Sequence, residues 1–441
     1  MGKHAVVVGS SMAGLLAARV LSDHFEAVTL IERDGLPDAS TVRKAVPQGA
    51  HAHGLLARGL EVLRELFPDL QAALVAGGAS VGDIGTALRF YQFGTWKLEV
   101  PLGIDGLFMS RPFLEWHVRE RVRAIPNVKL VAGKVTGLIA SDDGAALRGV
   151  WMGDARVDAE LVVDASGRAS QVPAGFRAIG FPAPSVEEVR VDVGYATRLF
   201  RRPKGDERAL IVVPEPPKEK RFAAIFPIEG DRWICTLGGW LRDHPPQDEA
   251  GWLAFARSLP VPEPHDLIRG AEPLTDIGTF KFPSSQRRRW ESLARRPEGF
   301  VAVGDSVCSF NPVYGQGMTV SALDAIALRD ELARGMSPGF GARVQKRIAK
   351  VVDVPWMMVT GEDFRWPETE GKRGLETNLV NAYMGKVHRL GGTDPEVVKA
   401  FIRVMHLLAP PPSMFHPRMM LRVLSQKPRT RAPAHVTAPA E

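Results

Sequence analysis

The sequence predicts an α/β chain in which a parallel-sheet domain is interrupted by an antiparallel-sheet insertion and followed by C-terminal helices. Three observations predict it. Residues 5 to 32 read as strand, glycine turn, helix and strand, residues 189 to 276 alternate apolar and polar side chains between turn residues, and residues 299 to 332 return to strand, glycine-rich turn and helix. At 441 residues the chain is too long for one ordinary core. With 45% hydrophobic and 24% charged residues, and no apolar run near the ~20 residues that cross a bilayer, its composition is that of a soluble globular protein. The opening MGKHAVVVGSS enters a strand without a signal-peptide cleavage pattern, so the expected location is cytoplasmic.

Two cysteines, Cys235 and Cys308, cannot make a disulfide framework, and no CxxC or HExxH spacing points to a metal. The net charge of +6 is spread along the chain apart from Arg287-Arg288-Arg289 and Arg295-Arg296. Without an aromatic-interleaved basic stripe, no nucleic-acid partner is expected.

In chain order, AVVV is a strand, GSSMAG a turn, LLAARVLSDHF a helix and AVTLIE a second strand. The segment RKAVPQGAHAHGLLARGLEVLREL carries helical periodicity in its latter half, which predicts a helix over Ala52 to Phe67. LRFYQFGTWKLEV is rich in aromatic and β-branched residues and reads as a sheet excursion; RPFLEWHVRERVRAI reads as a helix. VKLVAGKVTGLIA and the residues after it read as hairpins leading to a buried strand that ends at Asp164. These signals divide the chain into a discontinuous dinucleotide-binding domain (1–78, 104–180 and 285–340), a sheet domain (79–103 and 181–284), a helical region (341–425) and a disordered tail (426–441).

In GSSMAG, Gly9 and Gly14 keep the spacing of a glycine loop, while Ser11 takes the place of the second glycine of GxGxxG and encloses Met12 and Ala13 with Gly14. The helix that follows presents free N–H groups to a pyrophosphate. Glu32, followed by Arg33, closes the second strand about twenty residues on, where a carboxylate accepts from ribose hydroxyls. The unit therefore reads as Rossmann-like and FAD- or NAD(P)-binding. The string GDSVCSFNPVYGQGM then ends a strand on Gly304-Asp305, with Asp305 placed to hold a polyol chain. Gly315 and Gly317 let backbone approach a flat heterocycle, and a helix from about Met318 turns its positive end toward that ring.

These motifs resemble the FAD-dependent monooxygenases of the para-hydroxybenzoate hydroxylase fold. GSSMAG with Glu32 looks like the group's glycine loop, DASGR (Asp164 to Arg168) stands where its middle Asp-Gly motif stands, and Gly304-Asp305 with Pro312 matches its late motif. RKxVPQGxHxHGLL-like and NPVYGQGMT-like strings bring it nearest to bacterial tailoring epoxidases of the polyether type. The resemblance implies FAD reduced by NADPH or NADH, reaction with O2 at the flavin C4a to a hydroperoxide, and transfer of one oxygen to an electron-rich carbon of a polyene, terpenoid or aromatic. It also implies flavin-side contacts from Arg43, Gln48, His53 and Arg111, with a separate flavin reductase as an optional partner. The motif DASG departs from Asp-Gly, which leaves the approach of nicotinamide open.

Plainer readings stand beside these. Arg111 precedes a proline at the first helical position, His51 and His53 can be satisfied by backbone carbonyls, and Asp164 can cap a turn. Of Phe90, Tyr91, Phe93, Trp96, Phe222, Phe226, Trp233 and Trp240, half or more are expected in the core and the rest around an apolar substrate cavity. No catalytic acid or base is singled out, because the cofactor carries the hard chemistry. Halogenases of this fold carry a WxWxIP string and prenyl reductases a YxWxFP-type string, and neither is present. A reductase or oxidase of the same fold, or a non-catalytic dinucleotide-binding protein, is the alternative. AFIRVMHLLAPPPSMFHPRMMLRVLSQ reads as a helical cap over the cavity, with membrane contact, as in the resembling squalene epoxidases, as its second reading.

Overall fold

Five parallel strands in the order Phe300–Ala302, Leu161–Asp164, Gly2–Val8, Phe25–Glu32 and Val128–Ala132 form the first sheet. The structure, a computed structural model, describes residues 2–37, 39–43 and 46–426. The expected tail from residue 427 onward lies outside the described residues.

Valine, leucine and isoleucine fill these strands because both faces of a parallel sheet are covered. Register then decides where ligands can approach: Val8 pairs with Asp164, and Asp164 with Ala302. Three strands therefore end at one level, delivering Gly9, Ala165 and Gly304 to one carboxyl edge. That is the edge where open α/β sheets bind ligands.

The first helix, Met12–Ser22, is buried at every position but Arg19. It is sandwiched between the sheet and the helix Gly317–Leu332. Glycine sets the approach: a Cβ on Gly14 would stand 1.8 Å from the Gly9 carbonyl oxygen. Gly9 itself has φ +99°, a conformation that side-chain-bearing residues rarely adopt.

A second sheet has eight strands, in the order Cys308–Ser309, Gly278–Arg288, Val186–Arg201, Arg232–Gly239, Arg221–Ile228, Ala209–Val212, Leu88–Gln92 and Thr95–Trp96. All neighbours are antiparallel except Ala209–Val212 with Leu88–Gln92. The alternating stretch from 189 to 276 thus builds four of the eight strands of one sheet. Helices Phe340–Asp363, Thr377–Leu390, Pro395–Met405 and Pro417–Ser425 complete the described chain. No helix among the described residues is long and apolar enough to cross a membrane.

Two local expectations change. The helix expected from Ala52 begins at Ala57, because Leu56 is extended and the Ala52 N–H is drawn into a hydrogen bond with Thr236 Oγ1 at 3.0 Å. Val128–Ala132 is a parallel edge strand beside Phe25–Glu32, and only Val135–Ala140, Leu147–Met152 and Ala155–Asp158 form the antiparallel hairpins. Apolar alternation alone does not distinguish the two pairings.

Candidate cofactor and substrate site

One half of the candidate site is built at the ends of the first two strands. Ser11 is the extended N-cap of the helix Met12–Ser22, so the first N–H groups of that helix, at Met12, Ala13 and Gly14, face the sheet edge without intrahelical partners. Glu32 is 5% exposed; its Oε2 accepts from the Ser10 N–H at 2.9 Å, the Ser10 hydroxyl at 2.7 Å and Arg43 Nη1 at 3.1 Å. Burial alone would raise the Glu32 carboxyl, but the Ser10 hydrogen bonds, with Asp34 N–H and Arg43, hold it below its ordinary value. A carboxylate has about four acceptor sites, and among the described residues Oε1 takes one hydrogen bond, from the Asp34 N–H at 3.1 Å. Arg33 is exposed just beyond.

Arg43 lies buried between two carboxylates, Glu32 and Glu115, with Nη2 to Glu115 Oε1 at 2.7 Å. From Glu115 the chain of charges continues to Arg111 at 3.7 Å and to His53 Nε2, 3.3 Å from Arg111 Nη1. One buried ionic path therefore runs from the strand end at Glu32 to His53. Burial, then the Arg111 guanidinium, push the His53 ring down to about 3, so it is neutral at physiological pH. His51 is tied elsewhere, to Thr197 Oγ1 at 2.7 Å, and Thr197 in turn meets Thr236 at 2.6 Å. Gln48 is half-buried in the turn Pro47–Ala50 and its carbonyl accepts the His51 N–H.

Asp305 stands at the centre of the carboxyl edge, on a short turn Gly304–Ser306. Its carboxylate accepts no hydrogen bond from a described residue, yet Arg111, Arg168 and Arg288 surround it. Burial raises its pKa and these three cations only partly oppose that. The Gly304 φ of +61° and a Cβ position 2.6 Å from Ala13 let the turn lie against the first helix. Nearby, a Cβ built on Gly317 would meet a single atom within 4 Å, Asp305 Oδ1 at 3.9 Å. Met318 is buried in the helix behind it. An uncommitted carboxylate and an open backbone cradle thus share one spot.

Asp164 behaves differently. It is fully buried, and its oxygens accept from the Ser166 N–H at 3.0 Å, the Ser166 hydroxyl at 2.5 Å and the Ser170 hydroxyl at 2.6 Å. This aspartate caps its own turn.

The loop Asn311–Gln316 joins this edge to a cavity of about 290 Å3, which Pro312, Gly315, Gln316 and His53 all line. Gly315 has φ +67° and backs onto Gly54. Its other walls are the strands Leu88–Gln92 and Arg221–Ile228 and the C-terminal helices. Of the eight aromatic candidates, Phe90, Phe222 and Phe226 reach it, whereas Trp233 and Trp240 are core. Residues of the segment 401–415, among them Phe401, Met405 and Phe415, also line this cavity.

Several contacts here are not specified by any local motif. Ser10, Glu115 and Arg288 act through long-range contacts; Arg288 donates from Nη1 to the carbonyls of Asp305 (3.4 Å) and Ser306 (3.3 Å). Asp324, about two turns into the helix Gly317–Leu332, is fully buried and accepts the Gly304 N–H at 2.8 Å. Its i+7 spacing from Gly317 puts it on the same helix face, toward the strand end. Burial, with Asp305 adding to it and the Gly304 N–H opposing, pushes Asp324 up to about 8.

This has a consequence for stability. A carboxyl with a raised folded-state pKa binds more protons folded than unfolded, so its stabilising contribution is complete below its ordinary 3.8 and is lost as pH rises through about 8. Asp363, pushed up to about 7 by burial, acts in the same sense. Asp324→Asn, which keeps an acceptor for Gly304, is therefore expected to reduce the fall in unfolding free energy between pH 5 and 8, by up to about 1.4 kcal/mol per pH unit. Urea titrations at the two pH values check it; an unchanged difference would mean Asp324 is ionised in the folded chain.

A parallel sheet with a glycine loop at one edge, a second sheet beside it and an apolar cavity between define the fold of the FAD-dependent monooxygenases and halogenases. The flavin-dependent brominase Bmp2 has it, matching with a TM-score of 0.67 over 96% of this chain and 98% of its own at 14% identity, a likeness of fold alone. The chain belongs to one family with protein Rv3254 of Mycobacterium tuberculosis, to which it is 33% identical over 438 residues, 92% of this chain and 90% of that one. It is also 25% identical over 352 residues to 6-methylpretetramide 4-monooxygenase of Streptomyces rimosus, covering 75% of each. No protein-family model matches the chain.

Proposed function

We propose that this protein is a flavin-dependent monooxygenase that uses NADH or NADPH and O2 to epoxidise or hydroxylate an apolar small molecule. The observation that carries the reading is the loop Asn311–Gln316: it forms the wall of the apolar cavity and leads directly into the Gly317 cradle beside Asp305. A cofactor ring held in the cradle would therefore border the substrate. When bound and reduced, FAD supplies the activation of oxygen, which no amino-acid side chain provides.

The residues present fit that group. Glu32 would hold the adenosine ribose through Oε1, and the N–H groups at Met12 to Gly14 the pyrophosphate. Asp305, whose oxygens no described residue claims, would accept hydrogen bonds from the polyol chain. Gly315 and Gly317 leave room for the ring, and the positive end of the helix Gly317–Leu332 favours negative charge on it. Arg111 and the neutral His53 would stand on the flavin side, with Gln48 behind them. Segments 1–78, 104–180 and 285–340 would hold FAD; 79–103, 181–284 and 341–425 would enclose the substrate. Phe90, Phe222, Phe226 and the C-terminal helices exclude water, which protects an activated oxygen species from wasteful reaction. Attack by an alkene needs no protein base, and none is assigned.

Asp305→Ala is expected to weaken FAD binding by about 1.5–3 kcal/mol, roughly 10- to 100-fold, the usual loss for a hydrogen bond to a charged group. Fluorescence titration of the apoprotein with FAD measures it. Wild-type affinity in the variant would remove Asp305 from the cofactor site, and a wild-type protein that binds no FAD would end the reading.

A further inference from the structure

The cavity is apolar over most of its wall, but one stretch is not. Where the strand Leu88–Gln92 meets the helix Thr377–Leu390, Gln92 and His388 both line it. Gln92 is 7% exposed and His388 2%. Gln92 Oε1 and both ring nitrogens of His388 are buried without a hydrogen-bond partner, although most buried polar atoms in folded proteins have one. His388 Nε2 has one near neighbour of this kind, Glu362 Oε1 at 3.5 Å, the outer limit of a hydrogen bond, and Arg365 holds that carboxylate more closely, Nη2 to Oε1 at 2.9 Å and Nε to Oε2 at 2.7 Å; Nδ1 has none among the described residues.

Both residues are held firmly. Lys97 Nζ, itself buried, donates to the Gln92 carbonyl at 3.2 Å and to the His388 carbonyl at 2.7 Å, stapling strand to helix. The imidazole is stacked on Phe93, with ring centroids 4.5 Å apart, and Phe401 meets it edge-on at 4.9 Å. Such polar atoms, fixed and unpaired in an apolar wall, lower stability unless something in the cavity satisfies them.

We propose that Gln92 and His388 recognise a neutral hydroxyl group carried by an otherwise apolar substrate. The proposal rests on the reading of this cavity as the substrate site. A hydroxyl both donates and accepts, matching a free amide oxygen and an imidazole N–H. Burial pushes the His388 ring down to about 4, so it is a neutral ring with one donor and one acceptor. An anion would meet Glu362, which lines the cavity, while a cation would find that carboxylate already neutralised by Arg365 at 2.7 and 2.9 Å, which leaves a neutral group as the one the surroundings accept. A hydrocarbon would leave the polar atoms unpaired. Sites built to bond a hydroxyl discriminate strongly against analogues lacking it.

The test compares binding of 2-naphthol and naphthalene to the FAD-loaded protein by calorimetry at neutral pH, without reductant. Wild type is expected to bind 2-naphthol at least ~10-fold more tightly, whereas a purely apolar cavity would favour naphthalene. Gln92→Met and His388→Phe are each expected to bring the ratio to one or below while naphthalene affinity holds. A wild-type preference for naphthalene, binding of neither compound, or a ratio that both variants leave intact overturns the proposal. Because no turnover enters the measurement, a protein that selects the naphthol through these residues yet transfers no oxygen would refute the monooxygenase reading and leave the hydroxyl site standing. Oxygen transfer without the selectivity would do the reverse.

Discussion

Replacing Gly14 by valine is expected to abolish FAD binding and to destabilise the folded protein by about 3 kcal/mol or more, the scale of severe overpacking. The Cβ alone would stand 1.8 Å from the Gly9 carbonyl oxygen and 2.9 Å from its carbonyl carbon. Backbone, not a flexible side chain, is in the way. Gly9 cannot retreat readily, because its N–H is bonded to the Ile31 carbonyl at 2.8 Å and its Cα already faces Ala165. Relief requires the helix Met12–Ser22 to move off the sheet, which takes its N-terminus away from the adenosine side. Circular-dichroism melting together with FAD titration reads both effects, and a variant that melts and binds like wild type would show that the close approach is not needed.

The same substitution at Gly317 is expected to act in the opposite way. Here a Cβ has open space, with Asp305 Oδ1 at 3.9 Å its single neighbour within 4 Å. Stability should stay within about 0.5 kcal/mol of wild type, as for substitutions that break no packing. FAD affinity should fall by ~100-fold or more, since the added isopropyl group fills the cradle. ADP, which needs the Gly9 to Glu32 side alone, should bind as before. Calorimetry with FAD and with ADP separates these outcomes; equal losses for both ligands, or none for either, would place the ring elsewhere.

The contrast between the two glycines also marks what a sequence can reveal. Gly9, Gly14, Glu32 and Asp305 are legible because each lies at or just beyond a strand end or in the first turn of a helix, where the backbone's own geometry restricts the residue type. That they meet at one edge follows from parallel pairing in register. Glu115 is not legible: it sits within an ordinary helix, and its importance arises from Arg43 and Arg111 arriving from elsewhere in the chain. Asp164 reads as ligand or cap, and its three hydrogen bonds from Ser166 and Ser170, which cap its own turn, are visible only in the folded chain. Gln92 and His388 lie 296 positions apart, linked through one buried lysine. Aromatic residues are equally mute, since Phe226 at the cavity and Trp233 in the core belong to neighbouring strands of the same alternating pattern.

The most direct test of the account is isotopic. The FAD-loaded protein, supplied with NADPH or NADH, oxygen-18 gas and a panel of polyene, terpenoid and aromatic compounds, each with and without a hydroxyl group, should yield a product heavier by one atom of oxygen-18. A flavin reductase is added in a parallel reaction, so that slow reduction by the nicotinamide nucleotide is not mistaken for an inability to transfer oxygen. Reoxidation of the flavin with all the oxygen recovered as hydrogen peroxide and none in any product, in both reactions and with every compound, would contradict the account and favour an oxidase or reductase built on the same fold.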